Sequence, residues 1–509
     1  MWYTSDMEYI GAIDQGTTST RFMIFDSEGN IVSSAQMEHR QIFPRPGWVE
    51  HDAEEIWNNT CAVIKAALES AGLDGSSISA IGITNQRETV VPFSKKTGQP
   101  VYNAIVWQDL RGEEYITRLS GELPEEKLRE KTGLLYSPYF SASKIRWLLD
   151  NVPRVREAAK RGEIVFGTID SYLVARLTAS HALVTDVTNA SRYMLMDIKR
   201  GEWDDEMLAI TGIRKEWLPT IVSSSGVVYG MTSEDGPLHA SIPVAGILGD
   251  QQAALFGQAC FSKGESKCTY GTGCFMLSNI GEEICFSTHG LLTTVAYRIG
   301  EGKMCYAFEG SIAVAGSLVQ WTRDQLKMVS SPKELDALAA SVPDNGGVYI
   351  VPAFSGLFAP YWRSEARGVI AGLTGYATRA HICRAVLEAT AFQANDIFSV
   401  MEEDSGISIS ALKVDGGMTN SIPLMAFQAD ILRVPVIRPQ IVETTSLGAC
   451  YAAGLTIGVW DSLKMLSSYW KEQMRWLPVM DDKEREKKVG FWQKAVRCTL
   501  GWMPSDKEC

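Results

Sequence analysis

No run of residues in this chain is both apolar and uncharged for long enough to cross a bilayer, although 45% of its 509 residues are hydrophobic. No Cys-x-x-Cys pair occurs, so the 10 cysteines, scattered from Cys61 to Cys509, offer no structural zinc site. Most sit in apolar runs such as Ala449-Cys450-Tyr451, which reads as reduced thiols in an intracellular, soluble, cytoplasmic protein rather than a disulfide framework. The acidic start, Met1 to Ile10, lacks the basic-then-apolar pattern of a secretory signal. The final Lys507-Glu508-Cys509 is not a Ser-Lys-Leu address, so a peroxisome-like organelle is expected only if a further tripeptide follows. Basic charge is in deficit: 48 Lys and Arg against 60 Asp and Glu leave a net charge of -12. That argues against nucleic acid as a bulk partner. It leaves room for an anionic ligand such as ATP, held locally by backbone amides and a metal ion.

The familiar phosphate-binding signatures are missing too. The Gly-Lys pair Gly302-Lys303 is followed by Met304 and lacks the upstream glycine and downstream hydroxyl of a Walker A loop. The glycine-rich loop, Val-Ala-Ile-Lys and His-Arg-Asp of protein kinases are absent. A phosphotransferase built on this chain belongs to another structural class.

What is present is an alternation of strand-like and helix-like stretches, which favours α/β architecture. The length suits two large domains. Tyr9 to Ile13 and Phe22 to Phe25 read as strands around the turn Asp14-Gln15-Gly16-Thr17-Thr18-Ser19. Asp52 caps a helix whose apolar positions Ile56, Ile64 and Leu68 follow at helical spacing, with Gly72 to end it. Ala80 to Ile83 and Pro243 to Leu248 read as buried strands. A second Gly/Thr turn, Tyr270-Gly271-Thr272-Gly273-Cys274, lies between Ser266 to Thr269 and Phe275 to Ser278. One phosphate hairpin in each half implies a duplicated architecture, with the boundary near residue 255, just past Gly249-Asp250-Gln251-Gln252. That gives domains 1–255 and 256–509, packed as one cleft-forming unit.

A Gly/Thr/Ser turn offers phosphate both backbone N–H groups and hydroxyls. Asp14 is placed to hold Mg²⁺ through water, and Arg21 to reach a phosphate. Lys413-Val414-Asp415-Gly416-Gly417 is a strand ending in glycines that let backbone pass close to a planar ligand such as adenine. Each feature alone is equally an ordinary turn.

Together the motifs carry more. Asp14 to Ser19, Gly47-Trp48-Val49-Glu50-His51-Asp52, Asn85-Gln86-Arg87-Glu88-Thr89, Gly249 to Gln252, Tyr270 to Phe275 and Asp415-Gly416-Gly417 stand in the order seen in glycerol kinases. Tyr139 to Trp147, and Gly368 to Leu373 with His381 and Ala385 to Glu388, resemble the signatures of the wider FGGY carbohydrate-kinase family. The resemblance covers roughly residues 8 to 460. It implies two actin-like (ribonuclease H-like) domains flanking a deep cleft, ATP with Mg²⁺ across that cleft, and a homodimer or homotetramer. It places Thr17, Thr18, Ser19, Arg21 and Thr272 at the phosphates, and Gly316, Gln320, Gly416 and Gly417 at the rest of the nucleotide. Relatives place an Asn where this chain has Ser421, with Asn420 one position early, so the adenine-edge contact differs here. The stretch Met231 to Ile242 also lacks the glycine-rich loop with a lysine that binds fructose bisphosphate in regulated relatives.

For the acceptor, the resemblance implies glycerol. Arg87 and Glu88 would bind two hydroxyls, Tyr139 would add a third contact, Trp107 and Phe275 would sandwich the carbons, and Gln251 would bridge to the reacting end. A specific polyol site must pair each hydroxyl, because an unpaired polar group in a pocket is costly. Asp250, which follows a buried strand flanked by Gly246 and Gly249, is the expected proton acceptor. His51 lacks an acid–base partner and reads as structural. Two alternatives stand beside this reading: a kinase of another polyol or sugar, and an actin- or chaperone-like assembly protein without a polyol pocket.

Overall fold

The structure, a computed structural model, describes residues 8–503. The residues before Glu8 and the Lys507-Glu508-Cys509 end considered above lie outside the described residues. Among the described residues every cysteine is unbridged, and no helix is long and apolar enough to cross a membrane.

Two large mixed sheets organise the chain. The first runs, edge to edge, Gly230–Met231, Pro243–Gly249, Ile78–Asn85, Tyr9–Gln15, Ser19–Phe25 and Ile31–Glu38. The second runs Leu292–Tyr297, Cys305–Ile312, Cys274–Gly281, Ser266–Tyr270, Leu412–Asp415, Val436–Pro439 and Glu472–Trp476. Both sheets join an antiparallel hairpin to parallel strands. Tyr9–Gln15 pairs antiparallel with Ser19–Phe25 and parallel with Ile78–Asn85. Ser266–Tyr270 pairs antiparallel with Cys274–Gly281 and parallel with Leu412–Asp415. The central strands are apolar almost continuously, as strands covered on both faces must be. The duplicated two-domain α/β fold expected from the sequence is present.

Local signals account for the elements. The helix Ala53–Ala71 starts where the Asp52 carboxylate accepts from the Glu54 and Glu55 amides and ends at Gly72 in the left-handed conformation. Its buried face, including Ile56, Val63, Ile64 and Leu68, packs on the first sheet.

The two halves are interleaved. The helix Thr444–Ile457, late in the chain, lies against the first sheet and crosses the helix Asp250–Gly257. Side-chain-free glycines make that approach. A Cβ on Gly82 would lie 2.1 Å from the Ala449 carbonyl oxygen, and one on Gly448 would lie 1.9 Å from that of Ala253. Gly246 makes room for the Ala453 amide in the same way. The result is a cleft whose floor combines residues from both halves.

Candidate active site

Three parallel strands of the first sheet end along one line, and each delivers polar side chains there. Tyr9–Gln15 carries Asp14 near its end, Ile78–Asn85 runs on into Arg87 and Glu88, and Pro243–Gly249 leads into Asp250. In the second sheet Ser266–Tyr270 leads to Thr272, and Leu412–Asp415 to Gly416 and Gly417. Ligands of α/β sheets gather outside the carboxyl ends of parallel strands, which is where these residues stand.

The first hairpin is closed by the Gly16 amide donating to the Ser19 carbonyl at 2.9 Å. Thr17 Oγ1 accepts from the Trp107 indole at 3.0 Å, which ties the hairpin to Trp107. Thr18 is exposed, and Ser19 Oγ accepts from Gln36 at 2.8 Å. Arg21, expected at a phosphate, is taken up by Glu443 of the C-terminal half and by Gln36 Oε1 at 2.8 Å. Asp14 Oδ2 accepts from Ser446 Oγ at 2.9 Å. Burial pushes the Asp14 carboxyl up to about 6, with Arg21 and Ser446 acting against it. Behind the hairpin, His51 is buried between Gln41 and Gln86 and edge-on to His39. Burial drives its imidazole down to about 3, which keeps the ring neutral.

Of the residues expected at the acceptor, Arg87 is buried with its Nε 3.0 Å from Asp250 Oδ1. Gly249 allows this, since a Cβ there would meet the Arg87 chain at 2.7 Å. Glu88 adopts φ +61°, a conformation that costs a side-chain-bearing residue about 1–3 kcal/mol and clusters at functional sites. Its Oε1 accepts from Arg192 Nε at 2.6 Å. Trp107 stands edge-on to Tyr139, ring centroids 5.5 Å apart. Burial pushes the Tyr139 hydroxyl far above its ordinary value, so it stays protonated. Phe275 enters from the second sheet, half-buried and paired with Ser311. The Gln251 side-chain amide lies 3.3 Å from Asp250 Oδ2. The Asp250 side chain itself stays 32% exposed, whereas that of Arg87 is 2% exposed.

Of the residues expected at the nucleotide, Thr272, Gly316, Gln320, Gly417 and Ser421 line one cavity of about 300 Å³, joined by Asn420 and Asp336. Gly416 has φ +89°, and a Cβ there would lie 2.4 Å from the Tyr270 carbonyl, so only glycine fits. A Cβ on Gly417 would meet nothing within 4 Å, leaving its backbone open to a ligand. Ser421 Oγ donates to Asp336 Oδ1 at 2.7 Å and caps the helix Ile422–Leu432.

Three further charged residues belong to this cleft and escaped the sequence reading: Arg192, Lys267 and Glu309. Glu309 Oε2 and Oε1 accept from Arg87 Nη1 and Nη2 at 2.6 and 2.8 Å. Lys267 Nζ donates to Gln251 Oε1 at 2.6 Å and to Thr269 Oγ1 at 2.9 Å. A lone charge inside an otherwise apolar strand, Tyr306-Ala307-Phe308-Glu309-Gly310, is the signal that would have found Glu309, because burying an unpaired charge is prohibitive. Arg192, in a turn, and Lys267, in a strand with Ser266 and Thr269, carry no such signal.

Among the described residues no three His, Cys, Asp or Glu side chains gather into a metal cage. Asp14 and Asp250 are near enough for the charge of Asp250 to act on Asp14. A sparse carboxylate set of this kind suits Mg²⁺, which binds through one or two carboxylates plus substrate phosphates and water.

Fold and site together define a two-domain phosphotransferase of the actin-like class. Residues 9–257 match the FGGY family of carbohydrate kinases, N-terminal domain, and residues 266–457 match its C-terminal domain. The chain belongs to the FGGY family of carbohydrate kinases. It is 56% identical to a glycerol kinase of Pseudarthrobacter chlorophenolicus over 98% of its length and 99% of that protein. It is likewise 56% identical to a glycerol kinase of Chloroflexus aurantiacus over 97% of the chain and 99% of the relative. Among solved structures it is similar to the crystal structure of Plasmodium falciparum glycerol kinase with ADP, with a TM-score of 0.91 and 43% identity over 97% of this chain and 98% of that one.

Proposed function

We propose that this chain transfers the γ-phosphoryl group of ATP to glycerol, forming sn-glycerol 3-phosphate, with Asp250 as general base. One observation supports this most directly. The Asp250 carboxylate stands at a strand end, partly open to the cleft, while the groups that fix it are buried. A proton acceptor must be positioned and yet accessible to its substrate. The curated relatives at 56% identity over nearly the whole chain carry the name glycerol kinase, which supports the choice of acceptor.

In this reading Arg87 and Glu88 pair two hydroxyls of glycerol, and Tyr139 supplies a further contact. Trp107 and Phe275 cover the carbon edge, and Gln251 reaches toward the reacting end. The hydroxyl oxygen forms a bond to the γ-phosphorus in line with the bond to the ADP oxygen, which breaks, and the hydroxyl proton passes to Asp250. Thr17, Thr18, Ser19 and Thr272 surround the phosphates, while Gly316, Gln320, Gly416, Gly417 and Ser421 hold the adenosine end. Asp14 is the residue placed to hold Mg²⁺, which would neutralise phosphate charge. The domain division at 255/256 and a homodimer or homotetramer belong to the same proposal. Limited proteolysis reads the first and light scattering the second.

A coupled assay of ADP release over a panel of polyols and sugars tests the reaction. Glycerol-dependent release is expected, with xylulose and gluconate far slower. Preference for either sugar would replace glycerol as acceptor, and ATP hydrolysis indifferent to every polyol would favour an assembly protein.

A further inference from the structure

Arg87 carries five N–H donors in a rigid planar fork, and its surroundings come from both halves of the chain. Glu309, on the strand Cys305–Ile312 of the second sheet, takes the fork bidentately at 2.6 and 2.8 Å. Gln252 Oε1 accepts from the same Nη1 at 3.2 Å. Among the described residues one N–H on Nη2 has no acceptor, beside the Nε–H that faces Asp250. Bidentate pairing fixes the rotation of a guanidinium, as a single contact cannot. Glu309 also accepts from Arg192 Nη2 at 3.3 Å, while Arg192 Nε holds Glu88 at 2.6 Å. Both hydroxyl-pairing residues of the acceptor pocket are thereby tied, directly or through Arg192, to one carboxylate from the opposite sheet.

Glu309 is 1% exposed. Burial alone would push its carboxyl up, but Arg192 and Arg87 more than offset that and bring it to about 2, so it is ionised throughout the working pH range. A permanently charged carboxylate buried between two guanidiniums is a costly arrangement. A neutral pairing would have served packing alone.

We propose that Glu309 is a positioning residue for the phosphoryl acceptor: it reaches from the C-terminal half to set the orientation of Arg87, and through Arg192 that of Glu88. This rests on the glycerol reading of the pocket. Glycerol affinity then depends on the second sheet standing against the first, although Glu309 itself is not assigned a contact to glycerol.

The test is steady-state kinetics and ligand binding on Glu309→Gln and Glu309→Asp in the full-length chain. Glu309→Gln keeps the shape but loses the charge, and is expected to raise the glycerol KM by about 10- to 100-fold, the scale of losing a charged hydrogen bond. ADP affinity should stay within about twofold. Glu309→Asp retains the charge at a shorter reach and should recover part of the loss, and it supplies the readout if the Gln variant folds poorly. Lower thermal stability with an unchanged glycerol KM in either variant would show a merely structural residue and overturn the proposal. A parallel loss of ADP affinity would overturn it as well. Wild-type protein that fails to phosphorylate glycerol would instead sink the reaction reading, independently of Glu309.

Discussion

Asp250 and Arg87 show how much of this site is set by single atoms. The missing Cβ of Gly249 lets the Arg87 chain lie across the strand end, and Arg87 Nε then holds one oxygen of Asp250. Asp250→Asn preserves that shape and removes the basicity. We expect kcat to fall by roughly 10²- to 10⁴-fold, the range associated with loss of a general base, with glycerol binding much less affected. Turnover near the wild-type value in the purified variant would take Asp250 out of the mechanism. Trp48 makes the contrasting case. Its neighbourhood in the sequence is part of the family resemblance, and its ring is taken up in packing against arginine. The Arg111 guanidinium lies against both Trp48 and Trp147, 4.0 and 4.7 Å from their centres, the two rings standing edge-on to each other, and is neutralised by Asp109 and Glu50. That pillar fixes the segment leading to His51 and Asp52.

Among the elements, the crossing of Thr444–Ile457 over Asp250–Gly257 is the most exacting contact. Gly448→Ala would drive a methyl into the Ala253 carbonyl at 1.9 Å. Overpacking of this kind costs about 1–3 kcal/mol, and equilibrium denaturation should show a loss of that order. Unchanged stability would mean the helices part readily. A second contact joins the helix Arg379–Ser405 to the helix Asp482–Arg497, where Trp492 stacks on Phe392 at 5.2 Å. Beside it, Asp396 accepts from Trp492, Tyr361 and Gln493. Burial nevertheless raises its carboxyl from 3.8 to about 7. The folded chain therefore keeps a proton that the unfolded chain loses between those two values, and this group's contribution to stability falls as pH rises through that window. Asp396→Asn carries no such proton. The stability difference between variant and wild type should shift toward the variant as pH rises from about 4 to about 7, and a difference independent of pH would refute the assignment.

For the whole molecule, the cleft needs both halves. The hairpin turns at residues 16–18 and 271–273 belong to different sheets, so in the proposed reading neither half completes a phosphate site alone. Binding glycerol and nucleotide together should narrow the cleft and exclude water. Small-angle scattering with and without both ligands measures this, and an identical angle between the halves in every state would count against closure. Regulation is also a property of this scale. In the loop Met231 to His239 the Gly236 amide is spent on Ser233 and the Ser233 amide on Leu177. Glu234 and Asp235 add negative charge there. Fructose 1,6-bisphosphate should therefore leave the rate unchanged through this loop. Saturable inhibition that disappears on mutating residues 231–239 would show otherwise.

The sequence by itself determined the elements and the family they belong to. Asp52 and Gly72 bound a helix, apolar runs mark the central strands, and the order of six short motifs specifies the family, because caps, turns and phosphate-binding loops are local and must be written in adjacent residues. Only the tertiary structure decided what neutralises what. Arg21 meets Glu443, 422 positions away, and Arg87 meets Glu309 at a separation of 222. Those pairings follow from the two halves being brought together by helices that cross at glycine. No local pattern records such a partner, since an ion pair requires proximity in space and places no constraint on spacing along the chain.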